Sequence, residues 1–194
     1  MSLPDALEKA VEEGGNRFTA IYIAVLAVLL AICSVGGDNA SKDAMSANIV
    51  AADTYAFFQA KNIRQTDYEL AADGLELRLL EPGLSEEAKK HAQAKLAAYR
   101  AKVAQYESDP KTGEGKKELL AKAAALVAQR DLALQRDPYF DMGQGLLQIA
   151  IVLASASLIV GGTSLLWISR GLGVLGALSM LNAFTLIVTV PFMS

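Results

Sequence analysis

Two long stretches of this chain are free of charge. No residue from Phe18 to Gly37 carries a formal charge, and from Met142 to Ser194 the one charged side chain is Arg170. The remaining charged residues lie in Met1 to Arg17 and in Asp38 to Asp141. A single globular core would spread charge along the whole sequence, and a disordered chain would not hold such apolar runs. The segregation points to a membrane protein with a polar insert.

A bilayer core of ~30 Å needs about 20 apolar helical residues. Three candidates meet that length: Phe18 to Val35, Gly145 to Trp167 and Leu172 to Phe192. Ser169, Arg170 and Gly171 read as a tight turn that makes a hairpin of the last two. Pro191 stands at the end of the third run and does not break it. Tyr22, Tyr139, Phe140 and Trp167 fall near the expected interfaces, where amphipathic rings prefer to sit. The first run resembles a lipoprotein processing box in outline at Leu30-Ala31-Ile32-Cys33, but Ile32 stands where a small residue is needed. With Asp5, Glu8, Glu12 and Glu13 ahead of it, the run is read as a retained anchor and not as a signal peptide.

The polar insert reads as helix throughout, being rich in Ala, Leu, Glu, Lys and Gln. A first helix is expected from Asp38 or Ser41, either a good N-cap, to Glu81, where Pro82-Gly83 stops it. Gly74 is a possible kink. Ser85 caps a second helix running to about Glu107, and Ser108 to Gly113 form a loop. A third helix runs from about Gly115 to Arg136, stopped by Asp137-Pro138. At 1.5 Å per residue these are about 65, 35 and 33 Å long. Both ends of the insert must meet one membrane face, so the second and third helices are expected to return in sequence beside the first, as a rod.

Seven-residue spacing suggests which faces pack. Ile49, Ala56, Ile63, Leu70, Leu77 and Leu84 form one row, and three residues on lies a polar row of Ala52, Gln59, Thr66, Asp73 and Leu80. Ala92, Leu96, Tyr99, Val103 and Tyr106 make the stripe of the second helix. Leu120, Ala123, Val127 and Leu134 make that of the third. In the apolar runs, small residues allow close helix contact: Ala20, Ala24, Ala27 and Ala31 at four-residue steps, Ser157 with Gly161, and Gly173 with Gly176.

Chemistry is hard to find. The net charge of −3 gives no basic patch for nucleic acid. Cys33 is the single cysteine and reads as a buried, inert thiol. His91 has no placed serine, cysteine or second histidine for a relay. The carboxylates are spaced as surface ion pairs, with no Glu-x-x-His or calcium-loop pattern. Gln129-Arg130-Asp131 and Gln135-Arg136-Asp137 make a small repeat that reads as intrahelical ion pairing. No catalytic residue, metal or cofactor is expected, and the chain is not read as an enzyme.

One run stands apart: Tyr55-Ala56-Phe57-Phe58-Gln59-Ala60-Lys61-Asn62-Ile63-Arg64-Gln65. Its three rings cover more faces than one partner helix can use, so some should meet another subunit. Here the chain resembles the family known as domain of unknown function 4337, small bacterial membrane proteins. Their shared pattern is an N-terminal span, an aromatic-Ala-aromatic-aromatic-Gln-Ala-Lys-x-Ile-Arg-Gln run, a helical middle and a C-terminal span pair. This sequence has Phe57 and Phe58 where tyrosines are common. The resemblance implies the architecture and brings no activity.

The sequence therefore predicts an all-α integral membrane protein with three transmembrane helices and a long helical, coiled-coil-like extramembrane domain. Residues 1–17 would be a tail, 18–36 the first span, 37–144 the helical domain, 145–168 the second span, 169–171 a turn and 172–194 the third span. The candidate oligomer interface is Ile49, Tyr55, Ala56, Phe57, Phe58, Gln59, Ile63, Leu70 and Leu77. Candidate span packing uses Ala24, Ala27, Ala31, Ser157, Gly161, Gly173 and Gly176. The expected function is a self-associating scaffold, partnered by the lipid bilayer and by further copies or other membrane subunits. An accessory subunit of a larger complex remains open, as does a pore lined by Gln59, Asn62 and Thr66. Arg17 and Arg170 directly abut the spans, which favours a cytoplasmic N-terminus and a periplasmic rod in a bacterial inner membrane.

Overall fold

Four helices account for most of the chain in the computed structural model, which describes residues 3–161 and 163–188, with side chains from Arg17 onward. They are α1 (Leu3–Leu79), α2 (Glu86–Glu107), α3 (Lys116–Val160) and α4 (Thr163–Thr185). No strand occurs among the described residues. By length and composition α1, α3 and α4 are each able to cross a membrane. The chain divides into two compact units: an apolar unit, Met1–Ala44 with Asp131–Ser194, and a polar unit, Met45–Arg130.

One seven-residue repeat organises α1. Thr19, Leu26, Cys33, Ala40, Ala47, Thr54, Lys61, Tyr68 and Leu75 form one row. Ile23, Leu30, Gly37, Ala44, Ala51, Phe58, Gln65, Ala72 and Leu79 form the other, and every residue of both rows is buried or half-buried. This 3-4 alternation keeps a single seam on one side of a helix as it coils about a partner. The seam is mostly small or polar, so helix backbones approach closely and apolar bulk is left for other faces.

Several expected boundaries move. Asp38 and Ser41 do not cap a helix, because α1 already runs through them from Leu3, and residues 3–17 are its first turns rather than a separate tail. Ser41 instead donates from its hydroxyl to the Asp137 carboxylate at 2.8 Å. Gly74 does not end α1. Pro138 lies inside α3, although a proline in a helix interior costs about 3 kcal/mol. The next two residues, Tyr139 and Phe140, are buried, and their packing against α1 and α4 offsets that cost.

The turn expected at Ser169, Arg170 and Gly171 is instead helix, within α4. The chain reverses between Val160 and Thr163, where Gly161 has φ +71°, a conformation glycine adopts without strain. Trp167 accordingly belongs to α4, not to the end of the second span. Pro191 and Phe192 lie outside the described residues.

Candidate functional site

In the apolar unit the helices meet at glycines. A Cβ on Gly176 of α4 would lie 2.9 Å from Leu147 Cγ and 3.1 Å from the Gly143 carbonyl of α3. One on Gly173 would lie 2.7 Å from the Tyr22 hydroxyl and 2.9 Å from Leu26 of α1. One on Gly36 would run into the ring of Phe140, so α1 and α3 also close on a glycine. Each pair of helices therefore has a contact that larger residues would hold apart.

Hydrogen bonds join the same three helices. Tyr22 donates to the Ser169 carbonyl at 3.0 Å, and Ser169 donates to the Ala150 carbonyl at 2.6 Å. Ser179 donates to the Tyr139 carbonyl at 2.7 Å, and the Cys33 thiol to the Phe140 carbonyl at 3.2 Å. Interhelical bonds of this kind in membranes average about 0.6 kcal/mol each. The thiol is buried, so Cys33 serves packing.

Around the apolar core of Leu26, Phe140, Leu147 and Met180, this unit buries a few hydroxyls and turns many apolar side chains outward. Thr19, Ser157, Ser169 and Ser179 are buried, while Phe18, Ile21, Val25, Val28, Val35, Val152 and Val174 are half or more exposed. An exterior of this kind suits lipid, which tolerates outward apolar side chains while demanding that polar groups be satisfied inside. The expected packing residues divide accordingly. Ser157, Gly173 and Gly176 are buried, whereas Ala24, Ala27 and Ala31 face outward and Gly161 forms the reversal. The Arg170 guanidinium lies over the Trp167 ring, 5.3 Å from its centroid.

In the polar unit, α2 and then α3 return alongside α1. Tyr68 of α1 lies between Tyr99 of α2, which it meets edge-on, and the tilted ring of Tyr106, at centroid distances of 5.3 and 5.8 Å. Further down, Lys61 pairs with Glu114 at 3.2 Å and Arg130 donates to Asn48 at 3.3 Å. Arg100 pairs with Glu76. The α2 stripe from Ala92 to Tyr106 faces α1 as expected. On the part of α3 in this unit Leu119 and Ala123 are buried and Leu120 is exposed; Leu134 of the expected stripe lies in the apolar unit and is exposed as well. Gln65 is buried in the seam; its amide nitrogen donates to Glu107 at 3.4 Å, and its carbonyl oxygen has no partner among the described residues.

The candidate interface row takes the opposite face. Ile49, Ile63, Leu70 and Leu77 are 51%, 63%, 65% and 68% exposed, and Ala56 and Gln59 are exposed with them. These positions lie half a turn from the α1 seam. The aromatic run splits: Phe58 turns into the seam, where Lys116 lies 5.8 Å from its ring centroid, so it is not free to meet another subunit. Phe57, beneath Lys61, and Tyr55 remain about 40% exposed.

Two acids organise the loop between α2 and α3. Glu118 accepts from the Ser108 hydroxyl at 2.6 Å and the Asp109 backbone N–H at 3.1 Å. The Ser108 bond chiefly holds its carboxyl below the usual range. Asp109 is lowered likewise, first by the Gln105 amide and then by Thr112. His91 is exposed on α2, beside a small groove that includes Arg78 and Lys95. Among the described residues no group of three His, Cys, Asp or Glu is placed to hold a metal ion.

Comparison with curated proteins and with solved structures finds no match. The family model described as domain of unknown function (DUF4337) matches residues 15–186. That span takes in nearly all the described residues, and the chain belongs to this family.

Proposed function

We propose that this protein is a structural membrane scaffold that self-associates through its polar unit and catalyses no reaction. In this reading α1, α3 and α4 cross the bilayer, and the polar unit stands outside it. The observation that carries self-association is the exposed row from Ile49 to Leu77. A run of large apolar side chains on the solvent face of a helix that already has a seam marks an interaction surface. A bacterial inner membrane, with the N-terminus in the cytoplasm and the polar unit in the periplasm, is the placement we favour. A second reading, an accessory subunit of a larger complex, draws on the outward Ala24, Ala27 and Ala31, which would admit another membrane helix closely.

The test is amine-reactive cross-linking in intact membranes, comparing the parent with Ile63→Asp combined with Leu70→Asp. Both side chains are exposed in a single copy, so the variant should fold with unchanged helicity. Ladders of the parent that vanish in the variant are expected. Equal ladders from both would rule this surface out, and a cross-linked band of different protein content would favour the accessory-subunit reading.

A further inference from the structure

Where α1 ends and α2 begins, the polar unit holds a cleft of about 270 Å³. Its apolar lining includes Leu75 of α1, Leu84 just ahead of α2 and Ala92 of α2. Its charged lining is basic throughout: Arg78 of α1, with His91 and Lys95 of α2. Among the described residues no carboxylate lines it. His91 and Lys95 stand four residues apart, one turn along the same side of α2, so the helix brings both to the cleft beside the buried Ala92.

None of the three basic groups has an ion-pair partner among the described residues. Lys95 lies 5.7 Å from the Tyr99 ring centroid, and its ammonium keeps donors for an acceptor. Arg78 stands in the last turn of α1, where a helix end favours a cation. His91 and Lys95 stand in the first half of α2, where the helix end gives a cation no such benefit. Arg78 and Lys95 repel each other across the cleft, and His91 adds a third positive group when protonated. A cleft lined by one sign of charge concentrates ions of the other.

We propose that this cleft binds a small soluble phosphate monoester. Arg78, His91 and Lys95 donate to the phosphoryl oxygens, and the ester group lies against Leu75 and Leu84. A phosphate monoester carries nearly two negative charges and three acceptor oxygens, one for each basic group. A carboxylate offers only two oxygens and one charge. The site does not depend on how copies of the chain associate.

His91 is the single histidine, so its ring signals in NMR report on the cleft without ambiguity. The full chain in phosphatidylcholine nanodiscs is titrated with inorganic phosphate and with phenyl phosphate at constant ionic strength. A saturable His91 shift is expected from both, with phenyl phosphate about ten-fold tighter through the apolar lining. Arg78→Gln and Lys95→Gln should each weaken binding about ten-fold, with unchanged helicity. Lys90→Gln, at an exposed neighbour outside the lining, should leave the affinity unchanged. Shifts that never saturate, or equal affinities in the parent and in Arg78→Gln and Lys95→Gln, overturn the site. Equal weakening by Lys90→Gln reduces it to general surface charge and overturns it too. Phenyl phosphate no tighter than inorganic phosphate overturns the ester assignment. A His91 shift when phosphatidylglycerol is added to the nanodiscs without either probe assigns the phosphate to a lipid headgroup and overturns the soluble ligand.

Discussion

Glycine does different work at different points along α1. At Gly36 the absent side chain admits the Phe140 ring. Gly36→Ala should therefore destabilise the apolar unit by about 1–3 kcal/mol, as overpacking does. Thermal denaturation in detergent reads this, and combining the change with Phe140→Leu should recover part of the loss. An unaltered midpoint for Gly36→Ala would show that the contact is not tight. At Gly74 a Cβ would meet nothing within 4 Å. There Gly74→Ala should add about 0.5–1 kcal/mol by restricting the unfolded chain and favouring helix. The two acids of the α2–α3 loop give a dependence on pH. Their carboxyls titrate lower in the folded chain than in the unfolded one. Their stabilising effect is present above the ordinary carboxylate range and is lost as pH falls through the lowered values. Protection of the Asp109 amide, whose N–H is held by Glu118, should fall relative to its intrinsic exchange rate as pH drops through the lowered carboxyl range. In Glu118→Gln that acid-dependent step should shrink.

The elements show which parts of the fold are readable in the residues. Helical content, the α2 cap at Ser85, which accepts from the Ala88 N–H at 3.2 Å, and the loop after Glu107 follow from propensity and turn chemistry. The α1 seam does not. The row of large residues from Ile49 to Leu77 is the natural choice for a packed stripe, yet the buried rows are those of Ala44, Ala47, Ala51 and Thr54. Small residues bury little area and so give a weak periodic signal, although they permit the closest approach. The hairpin turn is hidden for a related reason. Gly161 is spaced from Ser157 like a packing pair, while Arg170 and Gly171 look like a loop; charge misleads because α4 holds Arg170 against Trp167. Gln65 is the weak point of the seam, with its carbonyl oxygen buried and unpartnered among the described residues. Leaving such a group unsatisfied costs about 1–3 kcal/mol. Gln65→Leu should raise the thermal midpoint, and a lowered midpoint would mean that the Glu107 contact outweighs the orphaned oxygen.

At the scale of the molecule, an apolar exterior on one unit and an outward apolar row on the other support the proposed reading of a scaffold held in a bilayer. Its placement can be checked separately from its assembly. Single cysteines at Ser2 and Ser108, introduced in a Cys33→Ala background, should react differently with an impermeant maleimide in intact cells. Labelling at position 108 and not at position 2 is expected; the opposite pattern would reverse the orientation. Self-association is read most directly by sedimentation equilibrium of the unmodified chain in density-matched detergent. A scaffold that associates through its polar unit should show whole multiples of 20.6 kDa, falling toward one copy on dilution. A single 20.6 kDa species at every concentration would contradict it.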